Sequence, residues 1–367
     1  MMKKVIILTA STGGGHNKVA QTIKEDLLAL GHEVEVVDFL KSQNKIYELI
    51  VSHGYELLAS KFPTLYGELY KVSNSDHLNQ KAIGAIRRSE KAYTKKVIEE
   101  FKPDIIVTTH PFAAAAIGGL KVNGKISQVV IAIVTDFIAH TAYLSDGIDH
   151  YIVGSSFTKK QLERGGIISS RIHAFGIPVS REFYKNETQK NREFTVLVMG
   201  GSMGLSQMKE VVEELVKEIS SFKLIIVTGN NRELYDDLKE DYQLQIESGQ
   251  ISLYGFTKEV DKLMDQSHII VSKPGGLTVS ESIVKEKPLI VPFYIPGQEY
   301  ENLVFLSLHG AAIGVDKPDM IPMVITYLKE NVDAYNRMKN GVISIKSHND
   351  QDGFKNLIEM ITNNEIS

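Results

Sequence analysis

Cysteine is absent from this chain of 367 residues. Its absence excludes disulfides, thiol nucleophiles and cysteine-ligated zinc sites, and it is consistent with a reducing compartment. A large excess of basic residues is absent too, since the formal net charge at pH 7 is −4. General nucleic-acid-binding proteins usually carry a strong positive charge, so we expect no nucleic acid among the partners of this chain.

Long hydrophobic runs are also missing. The first run, Val5–Leu8, is far too short for a signal peptide or a membrane-spanning helix, and no later stretch is long and apolar enough to cross a bilayer. Any contact with a membrane is therefore predicted to be peripheral.

Two common nucleotide-binding motifs are lacking as well. No Gly-x-x-x-x-Gly-Lys-Ser/Thr sequence is present, which excludes a P-loop. The cluster Gly13–Gly15 does not continue into a Gly-x-Gly-x-x-Gly fingerprint, because Lys18 stands where the third glycine would be. A nicotinamide-dependent dehydrogenase is thus disfavoured.

What the chain does contain is a regular alternation of short aliphatic runs with helical patterns, which is typical of parallel sheets covered by helices on both faces. The predicted strands are 5–8, 34–37, 105–107, 129–134, 151–153, 195–199, 224–227, 251–253, 269–271 and 289–291. A break at 177–193, which contains Pro178 and the polar run 185–192, interrupts the series and indicates a linker. We therefore predict an α/β protein with two doubly wound domains, 1–187 and 188–367, that face each other across a cleft.

Three glycine clusters follow predicted strands, at 13–15, 200–204 and 275–276. Glycine lets the backbone approach a ligand closely, and the N-terminus of a following helix offers N–H groups to an anion. Doubly wound sheets need tight turns in any case. Three clusters at the carboxyl ends of strands nevertheless favour a binding site for an anion such as a diphosphate.

Several segments carry a resemblance to a known family. They are 8–16 (LTASTGGGH), 135–137 (TDF), 176–178 (GIP), 272–282 (SKPGGLTVSES) and 296–302 (PGQEYEN), and the last two in this order are the most specific. In them the chain resembles the diacylglycerol glycosyltransferases, which include bacterial processive diacylglycerol glucosyltransferases and plant monogalactosyldiacylglycerol synthases. This family is related to the lipid-linked N-acetylglucosaminyltransferase of peptidoglycan synthesis.

The resemblance implies a GT-B fold of two Rossmann-like domains, with the last helix packing back on the N-terminal domain. It implies an inverting transfer of a hexose from a UDP-sugar to diacylglycerol, with UDP-glucose as the favoured donor and UDP-galactose as the alternative. The UDP-sugar is a co-substrate and no cofactor is expected. The implied location is cytoplasmic and peripheral, on an anionic lipid surface at the inner face of the cell membrane. The number of sugars added, the acyl-chain preference and the oligomeric state stay open.

Inversion requires a base that accepts the proton of the acceptor hydroxyl. The resemblance makes His16 the first candidate, although a lone histidine is more often structural. Asp136, which follows the strand at 129–134, is either the base itself or the partner that orients and charges the histidine, unless it merely caps a turn. His110 and His140 lie near the same strand ends and are weaker candidates for contacts to the acceptor.

The resemblance also implies a set of residues that bind the donor. The set is Gly15, Gly200, Gly201, Ser202, Gly204, Phe256, Lys273, Gly275, Gly276, Glu281, Gln298, Glu299 and Asn302. Among them, the glycines of 200–204 would face the diphosphate, and Phe256 would lie beside the uracil ring. Glu281 would accept both ribose hydroxyls, unless it lies on a solvated helix face.

Four further members of this set lie in the motifs at 272–282 and 296–302. Gln298 and Glu299 match residues that hold the sugar hydroxyls. Asn302 would contact the diphosphate or support a residue that does. Lys273 would either offset the charge of the diphosphate or simply be exposed.

Residues 46–101 depart from the compact alternation and predict long helices rich in tyrosine, leucine and lysine. Within them, Tyr66, Arg87 and Arg88 are the predicted acceptor-facing or membrane-facing residues. Aromatic side chains beside a basic cluster can dock on an anionic leaflet. Apolar residues at helical spacing are also typical of a core, so both interpretations stay open.

No metal site is expected. Asp350-Gln351-Asp352 has the Asp-x-Asp spacing that other glycosyltransferases use for manganese, but it lies far in sequence from the donor motifs and is interpreted as helix-capping sequence. Three other functions stay open: a UDP-GlcNAc transferase acting on a lipid-linked peptidoglycan precursor, a UDP-GlcNAc 2-epimerase with the same fold, and a non-catalytic sugar-nucleotide sensor.

Overall fold

The computed structural model describes residues 2–11, 14–39, 67, 93–185, 193–200, 207–363 and 365. The chain divides into two compact units, residues 1–179 with 348–367 and residues 180–347. The sequence placed the division between residues 187 and 188, inside a stretch (186–192) that lies outside the described residues.

The first unit is built on a six-stranded parallel sheet. Its strands are β1 (Lys4–Thr9), β2 (Glu33–Asp38), β3 (Ile105–Thr108), β4 (Val129–Ile133), β5 (His150–Ile152) and β6 (Ile172–His173). They lie side by side in the order β2-β1-β3-β4-β5-β6. The central strands are buried on both faces, which is why their sequences are unbroken aliphatic runs rather than alternating patterns.

Helices cover this sheet. They are α1 (Gly14–Ala29), α2 (Pro111–Val122) and α3 (Ser156–Arg164), and residues 93–101 are helical as well. On α1, the side chains of Val19, Ile23 and Leu27 are fully buried. Their spacing of four residues places them on one face of the helix, so packing against the sheet orients the rest of α1.

The second unit repeats the architecture. Its strands are β7 (Thr195–Met199), β8 (Lys223–Val227), β9 (Ile251–Tyr254), β10 (Ile269–Ser272), β11 (Leu289–Val291) and β12 (Ala312–Gly314), in the order β12-β11-β10-β7-β8-β9. Its helices are α4 (Gln207–Lys217), α5 (Arg232–Asp241), α6 (Gln243–Glu247), α7 (Val260–Gln266), α8 (Gly276–Val284), α9 (Gln298–Leu308), α10 (Ile321–Glu330) and α11 (Val332–Lys346).

A buried ion pair joins two helices of the second unit. Nζ of Lys285, the residue after α8, lies 2.6 Å from Oδ2 of Asp265 in α7 and also donates to the carbonyl of Lys185. The neighbouring Lys287 donates to the carbonyl of Ser267 over 2.7 Å, and burial lowers the pKa of Lys287 to about 8.

The C-terminal helix α12 (Gly353–Thr362) belongs to the first unit. The chain enters it through a hydrogen bond of 2.8 Å from the amide of Asp350 to the carbonyl of Phe175. A Cβ atom at Gly353 would lie 2.4 Å from the ring of Phe175, so a larger residue there would force the ring to move. Among the described residues, no helix is long and apolar enough to span a bilayer.

Within the described residues, all ten predicted strands are confirmed and two further strands, β6 and β12, were missed. Both are edge strands of only two and three residues, too short to show a hydrophobic run. The division between the two units, at residues 179 and 180, falls within the predicted linker 177–193, where Arg181–Tyr184 also form a 3₁₀ turn that buries Phe183.

Each sheet has a point at which the strand order reverses. In the first unit this point lies between β1 and β3, and in the second between β7 and β10. Loops at the carboxyl ends of the two strands diverge there and leave a crevice, which is where open α/β sheets bind ligands.

Candidate active site

His16 lies at the reversal point of the first sheet, in the first turn of α1. Its Nδ1 is 2.7 Å from the carbonyl oxygen of Thr109, the residue that follows β3. Because a carbonyl oxygen only accepts hydrogen bonds, Nδ1 carries the hydrogen in this contact. In the neutral ring the lone pair is then on Nε2, and Nε2 is the atom that can accept a proton.

Two hydroxyl groups surround the same contact. Oγ1 of Thr135 lies 3.0 Å from Nδ1 of His16 and 3.5 Å from the Thr109 carbonyl. The hydroxyl of Tyr143 lies 3.3 Å from that carbonyl, and its pKa is raised by burial. The imidazole is thus held at Nδ1 by groups from β3 and from the loop after β4.

Three effects act on the pKa of His16. Burial lowers it, while the negative charge of Asp136 and the hydrogen bond to the Thr109 carbonyl raise it, and burial is the largest. The net pKa lies below the usual 6.5, so the ring is neutral at pH 7 and able to act as a base. The negative charge of Asp136, the second predicted catalytic residue, thus acts on the imidazole of His16.

The other two predicted histidines cap helices. Nδ1 of His110 accepts a hydrogen bond of 3.3 Å from the amide of Phe112 at the start of α2, and Nδ1 of His140 accepts one of 3.0 Å from Ala142. Burial lowers the pKa of His110 well below its usual value and that of His140 to about 4, so both rings are neutral. The rings of His110 and His16 pack edge to face, with centroids 4.8 Å apart. Contacts of these histidines to an acceptor stay a prediction.

Thr109 and Thr135 were missed in the sequence. Both follow the last residue of a strand within two positions, β3 for Thr109 and β4 for Thr135. Polar residues at the carboxyl ends of strands line the ligand site, and Asp136 and His110 were selected by that rule. The same rule would have included Thr109 and Thr135. Their hydroxyl groups carry no charge, and for that reason no role was predicted for either threonine, although Thr135 lies in the segment 135–137.

In the second unit, the motif at 272–276 lies at the reversal point as expected. Gly275 is the N-cap of α8 and has no side chain of its own to cap that terminus. Nζ of Lys273 forms an ion pair with Oε1 of Glu299 at the start of α9, and the other carboxylate oxygen accepts from the amide of Ile295 over 2.8 Å. The Lys273 side chain is only 14% exposed. The alternative that Lys273 is simply an exposed cation is therefore wrong.

The remaining residues of the two donor motifs are largely buried. Glu281 is 4% exposed, so its alternative placement on a solvated helix face is wrong. Asn302 is fully buried and donates over 3.0 Å to the carbonyl of Pro274, which ties α9 to the turn before α8. Gln298 opens α9 directly after Gly297, whose φ of 104° is in the left-handed region that favours glycine.

Phe256 lies in the loop after β9 and its side chain is 69% exposed. Its ring is thus available to stack on a planar group. Gly200 is buried directly after β7, and Gly15 and Gly276 lie in the first turns of α1 and α8. The other predicted glycine-loop residues (Gly201, Ser202 and Gly204) and the predicted membrane-facing residues (Tyr66, Arg87 and Arg88) lie outside the described residues.

The Asp-x-Asp sequence near the C-terminus forms a turn. Oδ1 of Asp350 accepts a hydrogen bond of 3.1 Å from the amide of Asp352, the residue before α12. Within the described part of the chain, no three histidine or acidic side chains are grouped so that they could hold a metal ion.

Comparison with known proteins identifies two domains of known families. Residues 16–179 match the model of monogalactosyldiacylglycerol (MGDG) synthase, and residues 195–361 match the glycosyltransferase family 28 C-terminal domain. The chain is 27% identical to the processive diacylglycerol beta-glucosyltransferase of Bacillus subtilis (strain 168). The alignment spans 354 residues and covers 93% of this chain and 90% of the relative.

Two solved structures show the same fold. MurG of Acinetobacter baumannii superposes with a TM-score of 0.63 at 17% identity, over 98% of this chain and 99% of that one. The UDP-GlcNAc 2-epimerase of Neisseria meningitidis bound to UDP-GlcNAc gives a TM-score of 0.60 at 16% identity, over 99% of this chain and 100% of that one. The two parallel sheets are thus those of a GT-B protein, in which a domain that matches MGDG synthase is followed by a glycosyltransferase family 28 C-terminal domain.

Proposed function

We propose that this chain transfers a hexose from a UDP-sugar to the free hydroxyl of diacylglycerol, with inversion at the anomeric carbon and His16 as the base. The observation that carries the proposal is the 2.7 Å contact between Nδ1 of His16 and the Thr109 carbonyl, which leaves Nε2 as the basic nitrogen of a neutral ring. The B. subtilis relative is named a diacylglycerol glucosyltransferase, which supports this acceptor and favours UDP-glucose over UDP-galactose.

The chemistry is a single displacement. As the acceptor oxygen attacks the anomeric carbon, Nε2 of His16 takes its proton and the bond to the diphosphate breaks. The imidazolium that forms is stabilised by the negative charge of Asp136, which already raises the pKa of His16. Asp136 is therefore proposed as the partner of the base and not as the base itself. Attack from the face opposite the leaving group converts an α-linked donor into a β-linked product.

The second unit is proposed to hold the donor. The N-terminus of α8, which begins after Gly275, offers N–H groups to the diphosphate, and Lys273 can exchange its ion pair with Glu299 for one with a phosphate oxygen. Released from Lys273, Glu299 can accept hydrogen bonds from sugar hydroxyls together with Gln298. The buried carboxylate of Glu281 is assigned to the ribose hydroxyls, and the exposed ring of Phe256 to the uracil. Lys273 and the helix terminus thus supply positive charge for the leaving group, and the UDP-sugar is the only co-substrate in this proposal.

Diacylglycerol is dissolved in the membrane, so the enzyme must work at a lipid surface. We place it peripherally on the anionic inner leaflet of the cell membrane. The name of the relative also supports repeated rounds of transfer, in which the glycolipid product accepts a second sugar.

The experiment that tests the proposal measures release of UDP from UDP-glucose and, separately, from UDP-galactose. Each donor is supplied with anionic vesicles that contain or lack diacylglycerol, in the presence of a metal chelator. Release that requires diacylglycerol, together with a glycolipid identified by mass spectrometry, would support the proposal and name the sugar.

Controls separate this reaction from the alternatives. His16→Ala should bind UDP with the affinity of the wild type and release almost none from the donor. UDP-GlcNAc without vesicles tests the epimerase, whose activity would not depend on lipid. UDP binding without release from any donor would contradict the proposal and favour the sensor.

A further inference from the structure

Five polar side chains at the carboxyl end of the first sheet form one continuous chain of hydrogen bonds. From one end to the other they are Thr109, Thr9, Asn17, Ser11 and Asp38. Oγ1 of Thr109 lies 3.0 Å from Oγ1 of Thr9, which lies 2.9 Å from Oδ1 of Asn17. Nδ2 of Asn17 lies 2.8 Å from Oγ of Ser11, and that hydroxyl contacts Oδ2 of Asp38. We call these five residues the Asp38–Thr109 chain.

The chain runs in one direction. The carboxylate of Asp38, at the end of β2, only accepts hydrogen bonds, so the hydroxyl of Ser11 donates to it. The single hydrogen of the Ser11 hydroxyl is then used in that bond, so its oxygen accepts a hydrogen bond from the side-chain amide of Asn17. The carbonyl of that amide accepts from Thr9, whose oxygen accepts in turn from Thr109. Bonds aligned in this way polarise one another and strengthen the whole series.

The far end of the chain meets His16 from two sides. Thr109 accepts the hydrogen of Nδ1 with its backbone carbonyl, while its hydroxyl donates to Thr9. Asn17 is the next residue of α1, so its bonds to Thr9 and Ser11 fix the first turn of the helix on the sheet. The imidazole and the carbonyl that selects its tautomer are therefore anchored to the same set of side chains.

We propose that the Asp38–Thr109 chain is a positioning device that holds His16 as the Nδ1–H tautomer with Nε2 free to accept a proton, and that Thr9 and Asn17 are its positioning residues. The inference rests on the proposed role of His16 as the base. None of these side chains is assigned a contact to substrate. A purely structural chain would contribute stability to the first unit without any effect on the tautomer of His16.

Thr9 offers the sharpest test, because it joins the two halves of the chain and is almost fully buried. Thr9→Val keeps the shape of the side chain and removes the hydroxyl, which leaves Asn17 and Thr109 without that partner. Thr9→Ser keeps the hydroxyl and removes only the methyl group. Lys121→Met is the matched control, since it breaks a half-buried ion pair with Asp149 in the same unit but touches no member of the chain.

Each full-length variant is examined in three ways. The ¹⁵N chemical shifts of the His16 ring report the tautomer and need no substrate. Steady-state kinetics with the UDP-sugar and diacylglycerol vesicles separate kcat from KM, and thermal unfolding reports stability. We expect Thr9→Val to lose the pure Nδ1–H tautomer and to lower kcat about 10- to 100-fold with little change in the KM for the UDP-sugar. Thr9→Ser should keep the tautomer and kcat of the wild type.

The outcomes are distinct. A Thr9→Val protein with an unchanged His16 tautomer would overturn the inference. The inference would also fail if Thr9→Val and Lys121→Met lost the same stability and showed the same loss of kcat. If no UDP-sugar is turned over by the wild type, the proposed function fails, yet the ring shifts still decide whether the Asp38–Thr109 chain sets the tautomer.

Discussion

The ammonium group of Lys273 is neutralised by the carboxylate of Glu299. The pair is largely buried, since the side chain of Lys273 is 14% exposed and that of Glu299 is 11% exposed. The pair links the turn after β10 to the start of α9, and the second oxygen of Glu299 is held by the amide of Ile295. Both groups are thus satisfied without a ligand. A diphosphate that binds at α8 must compete with Glu299 for the lysine.

This competition predicts opposite effects for the two members of the pair. Glu299→Gln removes the competing charge, so the affinity for UDP should rise several-fold while turnover falls through the loss of sugar contacts. Lys273→Met should weaken UDP binding about tenfold, roughly 1.4 kcal/mol. Isothermal titration calorimetry with UDP measures both. Equal losses of affinity in the two variants would mean that the pair is a scaffold and that Lys273 does not bind the diphosphate.

His16→Ala and Asp136→Ala should each lower turnover while leaving UDP affinity nearly unchanged. Loss of a general base typically costs about 10²- to 10⁴-fold in rate. The loss for Asp136→Ala should be the smaller of the two, because Nε2 remains able to take the proton. A larger loss for Asp136→Ala would make the aspartate the base.

The pH dependence of turnover follows from the pKa of His16. The ring must be neutral to accept a proton, so kcat should rise with pH through this pKa and level off above it. Because burial holds the pKa below 6.5, the rise lies on the acid side of that value. Asp136→Asn removes a charge that raises the pKa, so the rise should move to lower pH. A shift to higher pH, measured with saturating donor, would contradict the proposed partnership of His16 and Asp136.

Glu281→Ala should weaken donor binding more than it lowers kcat. Hydrogen bonds to a charged group contribute about 1.5–3 kcal/mol, so a loss of about 10- to 100-fold in UDP affinity is expected. Glu233→Ala, an exposed position on α5, is the matched control. Calorimetry that finds the same UDP affinity for Glu281→Ala and the control would show the ribose assignment to be wrong.

The pair between Lys285 and Asp265 predicts a large effect on stability. Lys285→Met removes the cation that lies 2.6 Å from the buried carboxylate of Asp265, and breaking a buried pair in this way typically costs about 3–5 kcal/mol. Lys285→Met combined with Asp265→Leu removes both charges and should recover much of that loss. Hydrogen exchange of the amides in α7 and α8 measures the effect within the second unit. Lys209→Met, at the more exposed pair with Asp237, should change little.

Sequence patterns predicted the fold to the level of individual strands because most strands here are buried on both faces. Burial of that kind demands unbroken aliphatic runs, and such runs can be seen without a structure. The edge strands β6 and β12 were missed because they are only two and three residues long, too short to show such a run. The same limit explains Arg181–Tyr184, a short turn with a single buried aromatic side chain.

The site was predicted in part for a similar reason. His16 and Asp136 stood out because they bear ionisable groups in motifs after strands, and the structure places them together. The carbonyl of Thr109 is a backbone atom, and every residue has one, so no sequence pattern can mark it. The pairing of Lys273 with Glu299 joins residues far apart in the chain, and local spacing says nothing about such contacts.

The sequence by itself thus determined the class of the fold, the order of its strands along the chain and the residue types available for catalysis. These follow from local periodicity and from motifs that are contiguous in the chain. Only the tertiary structure decided which nitrogen of His16 is basic, which histidines cap helices and which cation is already neutralised. Those properties depend on hydrogen-bond partners and burial, and both are set by residues that the fold brings together from different strands.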